Sequence, residues 1–252
     1  MRKYLSFFML VTKSTIYQIF AVLLIMAASE FGLFYIHAKS TLAQLGTDQQ
    51  VSLGFEAVLQ RSRAVWVFAA AFLLIILVLG MLFDEKKSHM SYTLQRLQLP
   101  VWHRLALQTG YNVLILCTFM ALQAILLYGM FALYRHMAPA ELLSDQAFFL
   151  SCFRSNFVCA VIPMNNPLRI TRNIVLVLAF SFMTVLIREL TQRKKKFSVF
   201  SFMLTMTLLW FVKEYDVFVY DLMLILTVLF VGVGGSLWQL WGGEDADAEE
   251  KV

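Results

Sequence analysis

The sequence contains no G-x-x-x-x-G-K-[ST] loop, no H-E-x-x-H pair, and no grouping of serine, histidine and acid that spacing would bring together. Without the first, the chain has no phosphate cradle and does not hydrolyse ATP itself. The glycines of "GVGGSLW", beginning at Gly232, lack the lysine such a cradle needs and lie in an apolar run. Without the others, hydrolysis has no recognisable catalytic residues, and His37, His89, His103 and His136 are scattered. Cysteine is scarce. Cys117, Cys152 and Cys159 are an odd number for a disulfide framework and have no metal-ligand spacing. On one continuous helix Cys152 and Cys159 would stand roughly 10 Å apart, too far to bridge. Charge is also sparse, at 15% of residues. The basic excess of +5 gathers at the ends of apolar runs instead of along one face, which argues against a nucleic-acid surface and for topology signals.

What the chain has in abundance is apolar sequence. It is 60% hydrophobic with a mean hydropathy of +0.71, well above the roughly 45–50% apolar content of soluble domains. This is the composition of an integral membrane protein, all-α because a helix satisfies its own backbone in lipid. Taking about 20 apolar residues per crossing, six spans are expected at 16–36, 64–83, 111–133, 170–190, 197–212 and 217–238. The fifth is short and could pair with the sixth as a re-entrant hairpin. The first run lacks a small-residue cleavage site, so it reads as a retained span and not a signal peptide.

The larger share of the 21 Lys and Arg falls on one side of this scheme, including the run "RKKK" at 193–196, which places both termini in the cytoplasm of a multi-pass cell-membrane protein. The segment 136–169 is apolar but interrupted by Ser144, Asp145, Arg154 and Asn156, and is expected along the outer surface, ended by Pro163 and Pro167. Residues 1–243 form one six-helix domain. The tail 244–252, within "GGEDADAEEKV", is acidic, has little to bury, and is expected to be disordered.

Two groups of residues stand out. Between the second and third spans, "SHMSYTLQRLQLP" carries Met90, Leu94, Leu97 and Val101 on one helical face, with Arg96 beside Gln95 and Gln98 on the other, before Pro100 breaks the helix. Such a helix either lies on headgroups, with Lys86, Lys87 and Arg96 on lipid phosphates, or fits a groove on a partner protein. Within the spans, Glu30, Gln123 and Asp221 are candidates for a polar pathway or gate, or for structural pairing, for instance Glu30 with Lys213. An unpaired charge at the depth of Glu30 costs at least roughly 2.5–3.5 kcal/mol.

In layout the chain resembles the membrane subunit of ABC-2 type transporters: six spans, an amphipathic N-terminal segment matched by "MRKYLSFFMLVTKSTIYQ", and a cytoplasmic coupling helix matched by "SHMSYTLQRLQLP". It departs from that pattern between the fifth and sixth spans, where "VKEYDV" is short and the family has its larger outer element. The resemblance implies a permease subunit of an exporter, not itself an enzyme. A separate ATP-binding cassette ATPase would carry ATP and Mg, a second permease subunit, identical or related, would complete the path, and Met90, Leu94, Arg96, Leu97 and Val101 would contact the ATPase. The rival reading is a membrane scaffold or accessory subunit without a pathway of its own.

Overall fold

The computed structural model describes residues 2–43, 54–81, 101–138, 146–164, 167–192, 204, 206–207, 218–235 and 237. Among these every regular element is helical: α1 (Arg2–Ala43), α2 (Phe55–Arg61), α3 (Ala64–Met81), α4 (Val101–Met137), α5 (Ala147–Arg154), α6 (Asn156–Val161), α7 (Pro167–Gln192) and α8 (Phe218–Thr227), the last running on as a π-helix over Val228–Gly234.

Three stretches are long and apolar enough to cross a bilayer: Thr15–Ala43, Trp102–Met137 and Pro167–Ile187. Phe55–Arg61 and Ala64–Gly80 make a fourth if the 56° bend between them belongs to one broken span. The chain is therefore a helical membrane protein. The fifth expected span lies outside the described residues apart from Leu204, Met206 and Thr207, and so do residues 84–100 and the acidic tail.

The helices begin where backbone chemistry allows. Pro167 opens α7, at the first helical position where its missing N–H is no loss, and α4 starts directly after Pro100. Inside the long helices, hydroxyls turn back on the carbonyl four residues earlier: Ser29 on Ile25, Thr118 on Leu114, Thr171 on Pro167 and Thr227 on Met223. That keeps polar side chains satisfied where no water is present. The lipid-facing sides are apolar stripes, such as Ile170, Ile174 and Leu178 on α7, all about half exposed.

Between the helices the filling is aromatic. Phe68 of α3 stacks on Phe119 of α4 at 5.1 Å, and Phe72 meets Phe180 of α7 edge-on at 5.8 Å. Nearer the α2 end, Phe34, Phe55, Phe131 and Tyr134 form a second group with centroids 5.5–6.5 Å apart. Lipid tails are as apolar as these rings, so association here rests on shape and dispersion more than on the hydrophobic effect.

Two expectations change. Cys152 and Cys159 do not share one continuous helix: α5 ends at Arg154, and Ser155 caps α6 by accepting from the Val158 N–H at a long 3.5 Å. Nor does this segment simply lie on the outer surface. Phe148 packs on Phe131 at 5.1 Å, Phe157 packs on Phe68 at 5.6 Å, and Cys152, Val158 and Cys159 are buried. Its apolar residues thus close one end of the bundle. The N-terminal segment, for its part, is continuous with the first membrane-crossing stretch, since α1 is one helix of 42 residues.

Where Phe31 of α1 meets α4, Gly129 makes room for its ring; a Cβ at Gly129 would stand 2.7 Å from the ring's Cζ. We expect Gly129→Val to cost about 1–3 kcal/mol by overpacking. The cost should appear as a lower melting temperature of the detergent-purified protein, and adding Phe31→Ala should return part of the loss.

Candidate functional site

Among the described residues, two groups of buried polar residues contain the charged side chains buried in the bundle. The first lies between α1 and α4. Glu30 and Gln123 are fully buried, and Gln123 Nε2 donates to Glu30 Oε2 at 2.9 Å. Glu30 Oε1 and Gln123 Oε1 have no hydrogen-bond partner among the described residues. α3, which also packs against α1, has no charged side chain in its sequence "AVWVFAAAFLLIILVLGM". Among the described residues Glu30 is thus held by an amide and not by a cation.

α4 makes two further polar ties. Its Tyr111 hydroxyl shares a hydrogen bond with Thr15 of α1. Its Asn112 donates to Thr184 Oγ1 at 2.8 Å and to the Ser181 carbonyl at 3.3 Å, both on α7. One helix therefore holds α1 at two heights and α7 at the level of the first, since Tyr111 and Asn112 are adjacent.

The second place lies between α7 and α8. Arg172 Nη1 donates to Asp221 Oδ1 at 2.8 Å, and Arg169 Nε stands 3.5 Å from Asp221 Oδ2. All three side chains are at most 8% exposed. Arg172 also donates to Asn173 Oδ1 through Nε and Nη2, at 3.2 and 3.0 Å, and Asn173 Nδ2 donates to the Ala160 carbonyl at 2.8 Å. Arg169 Nη1 donates to Cys159 Sγ at 2.8 Å. The ion pair between α7 and α8 is in this way tied to α6 as well.

Sequence reasoning selected Glu30, Gln123 and Asp221 together, and the structure distributes them over these two groups. Glu30 is paired with Gln123, where Lys213 had been considered, and Lys213 lies outside the described residues. Arg169 and Arg172 were sorted as topology charges and missed as partners of Asp221. Met90, Leu94, Arg96 and Leu97 lie outside the described residues, and Val101 is the first residue of α4. Among the described residues no three His, Cys, Asp or Glu side chains gather as a metal site. No protein-family model, curated protein or solved structure matches the chain.

The charge arrangement fixes an order of mutational damage. Removing one partner of a buried ion pair typically costs about 3–5 kcal/mol. Asp221→Leu, which leaves two guanidinium groups facing each other, should lower the melting temperature most. Arg172→Met should do less, because Arg169 still faces the carboxylate, and Arg169→Met least.

At the other place, Glu30→Gln keeps an acceptor for Gln123 and should leave stability close to that of the unmodified chain. Glu30→Ala strands the buried Gln123 amide, at about 1–3 kcal/mol. Equal melting temperatures for the two Glu30 variants would contradict the pairing.

Proposed function

We propose that this chain is the permease subunit of an ATP-driven exporter of the ATP-binding cassette type. In this reading it has six spans with both termini in the cytoplasm, works with a second permease subunit, identical or related, and is powered by separate ATPase subunits that carry ATP and Mg. The segment Met90 to Val101 is its coupling helix. Glu30, Gln123 and Asp221 are the polar residues along or beside the path.

The observation that carries the reading is the length and continuity of α4. It runs unbroken over 37 residues from Val101, which closes the apolar stripe of the coupling segment. At 1.5 Å per residue that is roughly 55 Å, against a hydrocarbon core of about 30 Å. A push on the segment just before Pro100 is therefore delivered to a stiff rod. The same rod carries Tyr111, Asn112 and Gln123, the residues that fasten α4 to α1 and α7. A lever that enters the membrane and holds the polar contacts of two neighbours is what transmission of nucleotide-driven motion requires.

The decisive variant is Leu94→Asp. It removes apolar burial worth about 1.5–3 kcal/mol and puts a charge in the contact. It should release the ATPase in a pull-down and abolish stimulated ATP hydrolysis, while membrane insertion stays intact. Gln95→Asp, on the opposite face, should do much less. If an ATPase is retained equally by both variants, or none co-purifies with the unmodified chain, the coupling role is wrong.

A further inference from the structure

Away from both buried polar groups, the end of α1 and the break between α2 and α3 border an open cavity of about 600 Å³ lined by His37, Ser40, Thr41, Gln60, Arg61 and Arg63. Among the described residues its lining carries two permanent positive charges, an imidazole, two hydroxyls and an amide, and no carboxylate. Neither Arg61 nor Arg63 is in an ion pair with a described residue. Glu56, the acid of α2, faces Arg154 instead, at 3.6 Å.

The backbone is shaped to this arrangement. Arg63 has φ 54°, in the left-handed region that a side chain other than glycine rarely enters. Between the two arginines Ser62 is buried and donates to the Leu59 carbonyl at 2.7 Å, so that Arg61 and Arg63 both emerge on the exposed side. Strain held at a turn that presents two guanidinium groups to a cavity, neither ion-paired with a described residue, motivates the hypothesis of a binding role.

The surroundings indicate what is bound. The cavity sits where the apolar stretch of α1 ends, at Ala43, and that of α3 begins, at Ala64. That is headgroup depth. Trp66, 58% exposed, stands one turn into α3 as an interfacial aromatic, and Tyr35 and Ile36 are exposed beside the cavity on α1. Guanidinium groups match phosphate oxygens in charge and geometry, and the volume falls in the range of small-ligand sites.

We infer that this cavity binds a phosphate-bearing anionic group, with Arg61 and Arg63 as the charged ligands and His37, Ser40, Thr41 and Gln60 as hydrogen-bonding partners. A phospholipid headgroup and free phosphate share that chemistry. The inference does not depend on the transport reading.

The test is native mass spectrometry of the purified full chain in neutral detergent, titrated with phosphatidylglycerol, phosphatidylcholine or inorganic phosphate. A lipid site predicts phosphatidylglycerol adducts that weaken about tenfold or more in Arg61→Gln/Arg63→Gln and change little in Lys39→Gln, a nearby exposed lysine outside the lining. A rise in melting temperature with millimolar inorganic phosphate alone, lost in the same double variant, assigns the site to free phosphate. Should the double variant fold poorly, Arg63→Gly removes the guanidinium while favouring the turn, and the same loss of binding is expected. The inference is overturned if the double variant binds phosphatidylglycerol as the unmodified chain does, if Lys39→Gln weakens binding equally, or if neither lipid nor phosphate binds; the arginines would then serve only the carbonyl ends of α1 and α2.

Discussion

In hydrocarbon a polar atom must find its partner within the protein, and the Arg172–Asp221 contact is where this chain meets that demand under the greatest load. A carboxylate and two guanidinium groups lie almost wholly inside the bundle, 2.8 and 3.5 Å apart. The desolvation of such ions is several kcal/mol each, and it is offset only where geometry is good and the remaining donors are used. Here they are used. Arg172 reaches Asn173 and the Ala160 carbonyl, and Arg169 reaches Cys159. The pair thus specifies more than the contact of α7 with α8: it also draws α6 against the bundle, where Phe157 can meet Phe68. A short helix too brief to be stable alone is held by charges on its neighbour and by one aromatic contact.

The other polar contacts meet the same demand without ion pairs, and this difference has a mechanical meaning. Thr15–Tyr111, Gln123–Glu30 and Asn112–Thr184 each join two helices by one or two hydrogen bonds. Intramembrane hydrogen bonds of this kind contribute about 0.6 kcal/mol on average, with a maximum near 1.7. Removing one partner of the ion-paired group therefore costs more than removing any one of these hydrogen bonds.

Much of the architecture was legible in the residues. Long apolar runs fixed the membrane setting, Pro100 and Pro167 marked two helix starts, and Glu30, Gln123 and Asp221 drew attention because polar residues inside spans need partners. Who those partners were was not legible. Arg169 and Arg172 stand at i and i+3 at the start of an apolar run, a position equally suited to marking a membrane boundary, and Asp221 lies 49 residues beyond Arg172. Periodicity tells which face a residue occupies and not which helix lies opposite. The signal that was available was two cations on one face entering a span that also needed to dispose of an acid nearby. The interruption of 147–161 was legible in principle too, because "SN" at Ser155 is a capping pair ahead of an apolar run. It was outweighed by the continuous hydrophobicity on either side.

The placement of polar contacts along α4 bears on how such a rod could move. Tyr111 and Gln123 both hold α1, twelve residues apart, so these two helices are clasped at two levels roughly 18 Å from each other. Asn112 ties α4 to α7 through polar groups next to the first of these levels. Two ties at different heights resist rocking, because any tilt must stretch at least one of them; a single tie acts as a pivot. Rotation of the clasped α1–α4 pair about Asn112, against the body anchored by Arg172 and Asp221, would keep both of these α1–α4 hydrogen bonds. It also carries the whole of α4, from Val101 onward, as one piece. The distribution of a few weak contacts, more than their strength, selects which parts of the bundle can turn against each other.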